Sequence, residues 1–372
     1  MSTGTERIRT DTEATVTGST LQAPATTTAL PRRKGSLRKW SPWALVAGSA
    51  VVAAGATALA GGFGIGLWVF LTVVVYLVAT YVVSRAVEGA RKAADRLVTA
   101  IVTGAFLLAM IPLVSVLWTV VSNGWARFDP TFFNSSMRGV VGVGGGALHA
   151  IQGTLIITAL AAIMSIPVGV LTAIYLVEYG NRSRLARAIT FFVDVMTGIP
   201  SIVAGLFAFA LFALFVGPAV RFGFAGAVAL TVLMIPIVVR STEEMLKIVP
   251  NELREAAYAL GVPKWRTILK VVIPTTAGGI ATGVMLAVAR VIGETAPLLV
   301  TTGLALGVNL NPFSGPMATL PVFSYYSYAV PGIPREAFLD RAWTAALVLM
   351  LVVMVLNIVA RIISRIFAPK TR

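Results

Sequence analysis

Eight long apolar runs decide what this chain can become. They lie at about 43–60, 64–83, 98–122, 151–177, 189–216, 225–239, 277–304 and 344–367. A helix needs roughly 20 apolar residues to cross the hydrocarbon layer, while a barrel strand needs about ten, with alternating polarity. These runs do not alternate, and most are far too long for strands. Backbone groups in lipid must bond within their own segment or close into a barrel. The expectation is therefore an all-α, polytopic membrane helix bundle of about eight transmembrane helices. The 225–239 run is short and needs lengthening from Phe222. The Gly61-Gly62-Phe63-Gly64 stretch is just enough for a tight turn between the first two helices. Composition agrees, since 12% of residues are charged, against about 25% in soluble domains.

The net charge of +15 raises the question of nucleic acid, but no basic stripe on a polar module supports it. The positions of the Lys and Arg residues explain the charge better. With the N-terminus cytoplasmic, one side holds seven before residue 40, four at 84–97, three at 178–188, six at 240–274 and four after 360, which is 24. The other side holds Arg127, Arg138, Arg221, Arg335 and Arg341, and Arg290 falls inside a run. That asymmetry predicts both termini and the 240–274 segment on the cytoplasmic side. Residues 1–42, rich in Thr, Ser and Ala, read as a disordered cytoplasmic tail. Its basic end precedes an uncleaved first span. Residues 43–97 read as a two-span hairpin followed by an amphipathic linker helix at 84–97. Residues 98–372 form the main domain.

Several chemistries are excluded. There is no cysteine, hence no disulfide and no thiolate site. The single histidine, His149, at a loop or span boundary, is expected to make a local hydrogen bond. The Gly142–Gly146 run lacks the Lys-Ser/Thr of a phosphate loop. No nucleophile–base set occurs, so the chain is not expected to be an enzyme.

Arg290 and Glu294 are the sharpest feature. They fall in the 277–304 run at i, i+4, which on a continuous helix puts them on one face. Charge at membrane depth is costly and faces a partner or a cavity. Two readings follow. The pair satisfies itself and fixes helix packing, or it lines a polar path in which Arg290 offers a forked donor to an oxyanion. Pro297 suits a kink just beyond, and Pro167 and Pro236 are further kink candidates. Asp194 is expected to cap its helix or pair with a nearby Arg. The Thr197–Ser201 stretch, with Gly198 and Pro200, is expected to make a close helix contact or a hinge. The 305–343 segment, with Asn309, Asn311 and the Tyr325-Tyr326 pair, reads as a long outer loop.

Between two runs lies a polar island, Asn251 to Pro274. It reads as two short helices with a sharp corner, capped by Asn251 and stopped by a left-handed Gly261, with Pro263 in the first turn of the second. Leu253, Ala256, Ala257 and Leu260 form one apolar face. Trp265, Ile268, Leu269 and Val272 repeat the spacing.

This island resembles the EAA signature of ABC importer permeases: Glu255-Ala256-Ala257, three residues, Gly261, nine residues, then Val271, Ile273 and Pro274. Val and Ile stand where Ile and Leu are usual. GIPSIVAGLF at 198–207, RSTEEMLKIVPNELREAAYALG at 240–261 and ARVIGETAPLL at 289–299 are similar to the phosphate-specific permeases of the PstA type. The likeness covers roughly 98–367 and leaves the first two spans as additions to a six-helix type I importer core. The resemblance implies a phosphate importer permease that pairs with a second, homologous permease subunit. It implies an ABC ATPase dimer and an extracytoplasmic phosphate-binding lipoprotein as further partners, in a bacterial inner membrane. It implies no cofactor on this chain, with ATP and Mg used by the ATPase. Glu255, Ala256, Ala257, Gly261, Trp265 and Pro274 would couple to that ATPase, and Arg290 and Glu294 would lie on the phosphate path. A permease for molybdate or sulfate, or a stand-alone secondary transporter, are the alternatives.

Overall fold

The computed structural model describes residues 37–38, 40–59, 64–180, 183–218 and 220–367. The tail and the Gly61–Phe63 turn therefore lie outside the described residues. All described regular structure is helical. Seven helices are long and apolar enough to cross a membrane, and eight spans result if one sharply bent pair counts as a span. The expected bundle is thus present, as a multi-pass membrane fold. Two compact units divide within one long helix, between Ile111 and Pro112.

The first unit is built on α1 (Ser41–Leu59) and α2 (Ile65–Val87), which pack on each other. Ser49, Ala53 and Thr57 form the buried stripe of α1. Small residues at i, i+4 and i+8 let two backbones approach where lipid gives no hydrophobic drive. Trp68 Nε1 donates to Ala50 O at 3.0 Å. No separate helix occupies 84–97. Its first residues finish α2, Gly89 turns the chain at φ +94°, and the rest opens α3 (Ala90–Gly124). A polar stretch marks the water boundary of a helix, not its end, so polarity alone misplaced the break. Glu88 at this turn is buried and accepts from Leu37 N, Ser84 Oγ and Arg96.

The second unit begins in α3. After the short α4 (Pro130–Asn134), α5 (Leu148–Ile174) runs through Pro167 and ends in a π-turn, Tyr175–Tyr179. The expected 189–216 span is not straight. It consists of α6 (Arg184–Thr197) and α7 (Ser201–Phe215), bent by 109°. Gly198-Ile199-Pro200 makes that corner, so these residues are more than a helix contact. Next, α8 (Gly223–Ile248) passes through Pro236 without a break. It packs on α5, α6, α7 and the later helices, and is the most buried span of the unit. Then come α9 (Asn251–Ala259) and α10 (Lys264–Thr267). A second π-turn (Ile268–Val272) joins α10 to α11 (Ile273–Val291), giving a single span from Lys264 to Val291. Last are α12 (Ala296–Thr301), α13 (Leu320–Ala329) and α14 (Arg335–Phe367). The 305–343 segment is thus not all loop. In α13, Leu320, Pro321, Val322 and Phe323 are buried in the unit.

The core joins Ile157 and Ala161 of α5, Leu230, Met234 and Val238 of α8, Ala287 and Val291 of α11, and Leu298 of α12. Gly283 brings α11 against α8, where a methyl group built on it would lie 2.6 Å from Ser241 Cβ. Gly279 meets Met245 four residues earlier, so the two helices run antiparallel. At the other end, Phe222 N donates to Thr301 O. The chain from α10 to α12 therefore retraces the whole length of α8.

Two sequence expectations fail in an instructive way. His149 is buried at the start of α5, stacked edge-on against Phe323 at 5.4 Å, and neither ring nitrogen has a hydrogen-bond partner among the described residues. The Gly142–Gly146 run holds no phosphate, but it has a use. Gly142 O and Gly144 O accept from Arg341 Nη1 at 2.8 and 2.7 Å, and Gly145 O accepts from Arg127 Nη2 at 2.9 Å.

Candidate functional site

Arg290 lies in the last turn of α11, and the helix stops one residue later. Ile292 to Thr295 form a non-helical break, with Ile292 N bonded to Val288 O and Glu294 N to Val291 O. Pro297 sits in the first turn of α12. Here the sequence reading is corrected. Arg290 and Glu294 do not share one face of a continuous helix, because the helix ends between them. Nor do they form the self-satisfied pair, since no ion pair joins them. Arg290 is exposed, and it makes no hydrogen bond or ion pair with any described residue. Glu294 is half-buried. The α8–α11 register, continued from Gly283 opposite Ser241, places Arg290 roughly level with Met234, near the middle of α8. An unpartnered guanidinium at that depth is stable only where water or a ligand reaches it.

The break is held in place from behind. Gly205 of α7 is buried against Pro297, and a methyl group built there would lie 2.6 Å from Pro297 Cα and 3.0 Å from its carbonyl oxygen. Thr295, next to Glu294, reaches an open cavity of about 340 Å³ walled by α13 and α14, including Ser324, Tyr325, Tyr328 and Trp343. So the break opens onto a lining rich in hydroxyls.

The second sequence-predicted group is the 251–274 hairpin. Gly261 is left-handed at φ +74°, with nothing within 4 Å of its missing methyl, as a helix stop requires. Asn251 is not the cap. Pro250 holds that position, and Asn251 is the first helical residue. Pro263 caps α10 rather than entering it, its carbonyl accepting from Arg266 N and Thr267 N. The second helix is the first turns of a full span, not a separate element. The two expected apolar faces also split. Ala257, Ile268 and Val272 are buried, whereas Leu253, Leu260, Trp265 and Leu269 are exposed. Glu255 and Ala256 are exposed too. The π-turn accounts for the split, since Ile268 and Val272 turn to the bundle and Trp265 and Leu269 turn away. Pro274 lies in the first turn of α11.

Sequence reading missed a buried ion pair behind this hairpin. Arg254 Nε and Nη2 donate to Glu178 Oε1 at 3.1 and 2.8 Å. Its Nη2 also reaches Leu246 O at 3.0 Å, and Nη1 reaches Val249 O at 2.7 Å and Asn251 Oδ1 at 3.4 Å. The only signal in the sequence was a carboxylate at the end of an apolar run, which needs a cation from somewhere. Asp194 behaves as expected and pairs with Arg240, which also bonds Glu243.

The model of the "Binding-protein-dependent transport system inner membrane component" family matches residues 165–372. The phosphate transport system permease protein PstA 1 of Mycobacterium tuberculosis is 45% identical over 274 residues, covering 73% of this chain and 88% of that protein. PstA of Yersinia pestis is 38% identical over 262 residues, covering 70% and 86%. Among solved structures, a chain of a bacterial alginate ABC transporter, crystallised with an alginate-bound periplasmic protein, shares the fold with a TM-score of 0.53. It is 16% identical and covers 73% of this chain and 94% of that one. The helix break and the exposed hairpin thus lie inside the region that the family model matches, and the chain belongs to the binding-protein-dependent transport system inner membrane component family.

Proposed function

We propose that this chain is the permease subunit of an ATP-driven phosphate importer in a bacterial inner membrane. It forms half of the translocation path and takes its driving force from a separate ATPase. The observation that carries this is Arg290, a guanidinium at mid-depth with no protein partner, in a chain 45% identical to a phosphate permease. A planar forked donor suits a tetrahedral oxyanion. Glu294, near it in sequence and half-buried, supplies the opposing charge that keeps the path from trapping an anion. The exposed residues Glu255, Ala256, Leu260, Gly261 and Trp265 form the surface on which the ATPase acts. ATP and its Mg belong to that partner. A second permease subunit completes the path, and an external phosphate-binding lipoprotein delivers the ion. Both termini and the hairpin face the cytoplasm, as the Lys and Arg asymmetry requires.

The test is uptake of labelled phosphate by cells lacking other phosphate importers, with sulfate and molybdate as competitors. Phosphate uptake is expected to resist both competitors. Arg290→Ala is expected to lower uptake about 100-fold or more, the scale for removing a charged donor from a site it serves, with assembly intact. Unchanged uptake in that variant, or displacement by molybdate or sulfate, overturns the reading.

A further inference from the structure

The hairpin has to be mechanically joined to the bundle, and apolar packing does not do it. Only Ala257 of α9 is buried. Beside α9 lies a polar cleft of about 400 Å³, lined by Val177, Lys247, Tyr258 and Lys264 together with Glu178 and Arg254. What ties α9 down is Arg254. A guanidinium has five N–H donors, and the five bonds from Arg254 match that number. They run to three elements: Glu178 in the π-turn ending α5, the carbonyls of Leu246 and Val249 at the end of α8, and Asn251 of α9 itself. The Arg254 side chain is 12% exposed and that of Glu178 is 4%. Water therefore screens the pair little, and neither charge is stable without the other.

The geometry points to the Arg254–Glu178 pair as the joint that carries movement of the α9–α10 hairpin into α5 and α8. This inference rests on the ATPase-driven reading above. Both are positioning residues: they touch neither phosphate nor nucleotide. A π-turn is a helical segment with one residue too many for its hydrogen bonds, and it is often found at functional sites. Here it places Glu178 toward Arg254, with Gly180 N bonded to Tyr175 O at 2.7 Å. A push on α9 is transmitted because the bonds from Arg254 are short, saturated and buried. In α8 and α5 it meets helices that pack along their length with the core around Met234, at the level of Arg290.

The experiment uses the full assembly, with the second permease and the ATPase, in liposomes supplied with the binding protein. Phosphate uptake and ATP hydrolysis are measured in one preparation. Glu178→Gln removes the charge and keeps the shape. Arg254→Lys keeps the charge and loses the fork. Both are expected to co-purify with the ATPase and hydrolyse ATP, while phosphate moved per ATP falls about tenfold. Glu178→Arg combined with Arg254→Glu is expected to recover part of that ratio. An unchanged ratio in both single variants overturns the joint. So does loss of the ATPase together with uptake, which makes the pair a docking clasp.

A second readout does not depend on phosphate. The chain has no cysteine, so spin labels at Glu252→Cys and Leu171→Cys report the α9–α5 distance alone. Addition of ATP is expected to leave one narrow distance in the otherwise native assembly and a broad distribution in Glu178→Gln. Equal widths in the two overturn the joint. A wild-type assembly that moves no phosphate, but keeps the narrow distance, overturns the transport reading and leaves the joint standing.

Discussion

Arg254 and Arg290 lie on the same stretch of chain and live in opposite states. Arg254 spends all its donors on protein acceptors and is nearly buried. Arg290 has no partner among the described residues and is exposed at the end of α11. The same side chain is a strut in one place and a vacant hand in the other. Saturation separates the two roles. A guanidinium whose donors are used up binds nothing more, so its removal costs stability. One with free donors is a site, so its removal costs function.

The comparison breaks first if Arg290 is structural. Arg290→Ala should cut uptake while leaving the thermal midpoint of the purified chain within the shift expected for about 0.5 kcal/mol, as for a residue without contacts. A lowered midpoint would end the contrast. Arg254→Ala should behave in reverse, with a loss of about 3 kcal/mol in thermal or denaturant stability, because Glu178 is left buried and alone. Gly261→Ala sharpens the hairpin side of the contrast. The left-handed turn should cost about 1 kcal/mol, with no steric term since the space is open, and the ATPase should still bind. The smallest effect is in the first unit. The amide of Leu37, together with Arg96 and Ser84, holds the Glu88 carboxyl below its usual range despite burial. A depressed carboxyl contributes stability above its unfolded pKa and loses it as pH falls through the folded one. Protection of the Leu37 amide against exchange should therefore fade on acidification below the ordinary carboxylate range, and Glu88→Gln should remove that pH dependence.

The spans were legible because bilayer thickness dictates run length, and hydropathy measures that directly. Their directions were not. The 189–216 run is apolar throughout its length, so nothing in its hydropathy announces that Gly198-Ile199-Pro200 turns it by 109°. Likewise Gly293 and Pro297 flank the break after Arg290, but either residue is common in an unbroken span. Glu255, Gly261 and Arg290 could be singled out from type and spacing alone. Arg254 with Glu178 could not, since the two are 76 residues apart and meet only through the packing of α5 on α8. Local chemistry was readable. The partners of that chemistry are a property of the fold.

The π-turn at Tyr175–Tyr179 has one more consequence. It is a phase shift written into α5, and the length of the chain sets the phase. Deleting one residue from 175–177 would let the segment rewind as an ordinary α-helix and swing everything after it by about 100° around the axis. Glu178 would leave Arg254 without any charge having been changed. The connection between hairpin and core is thus encoded in a count of residues as much as in their identities.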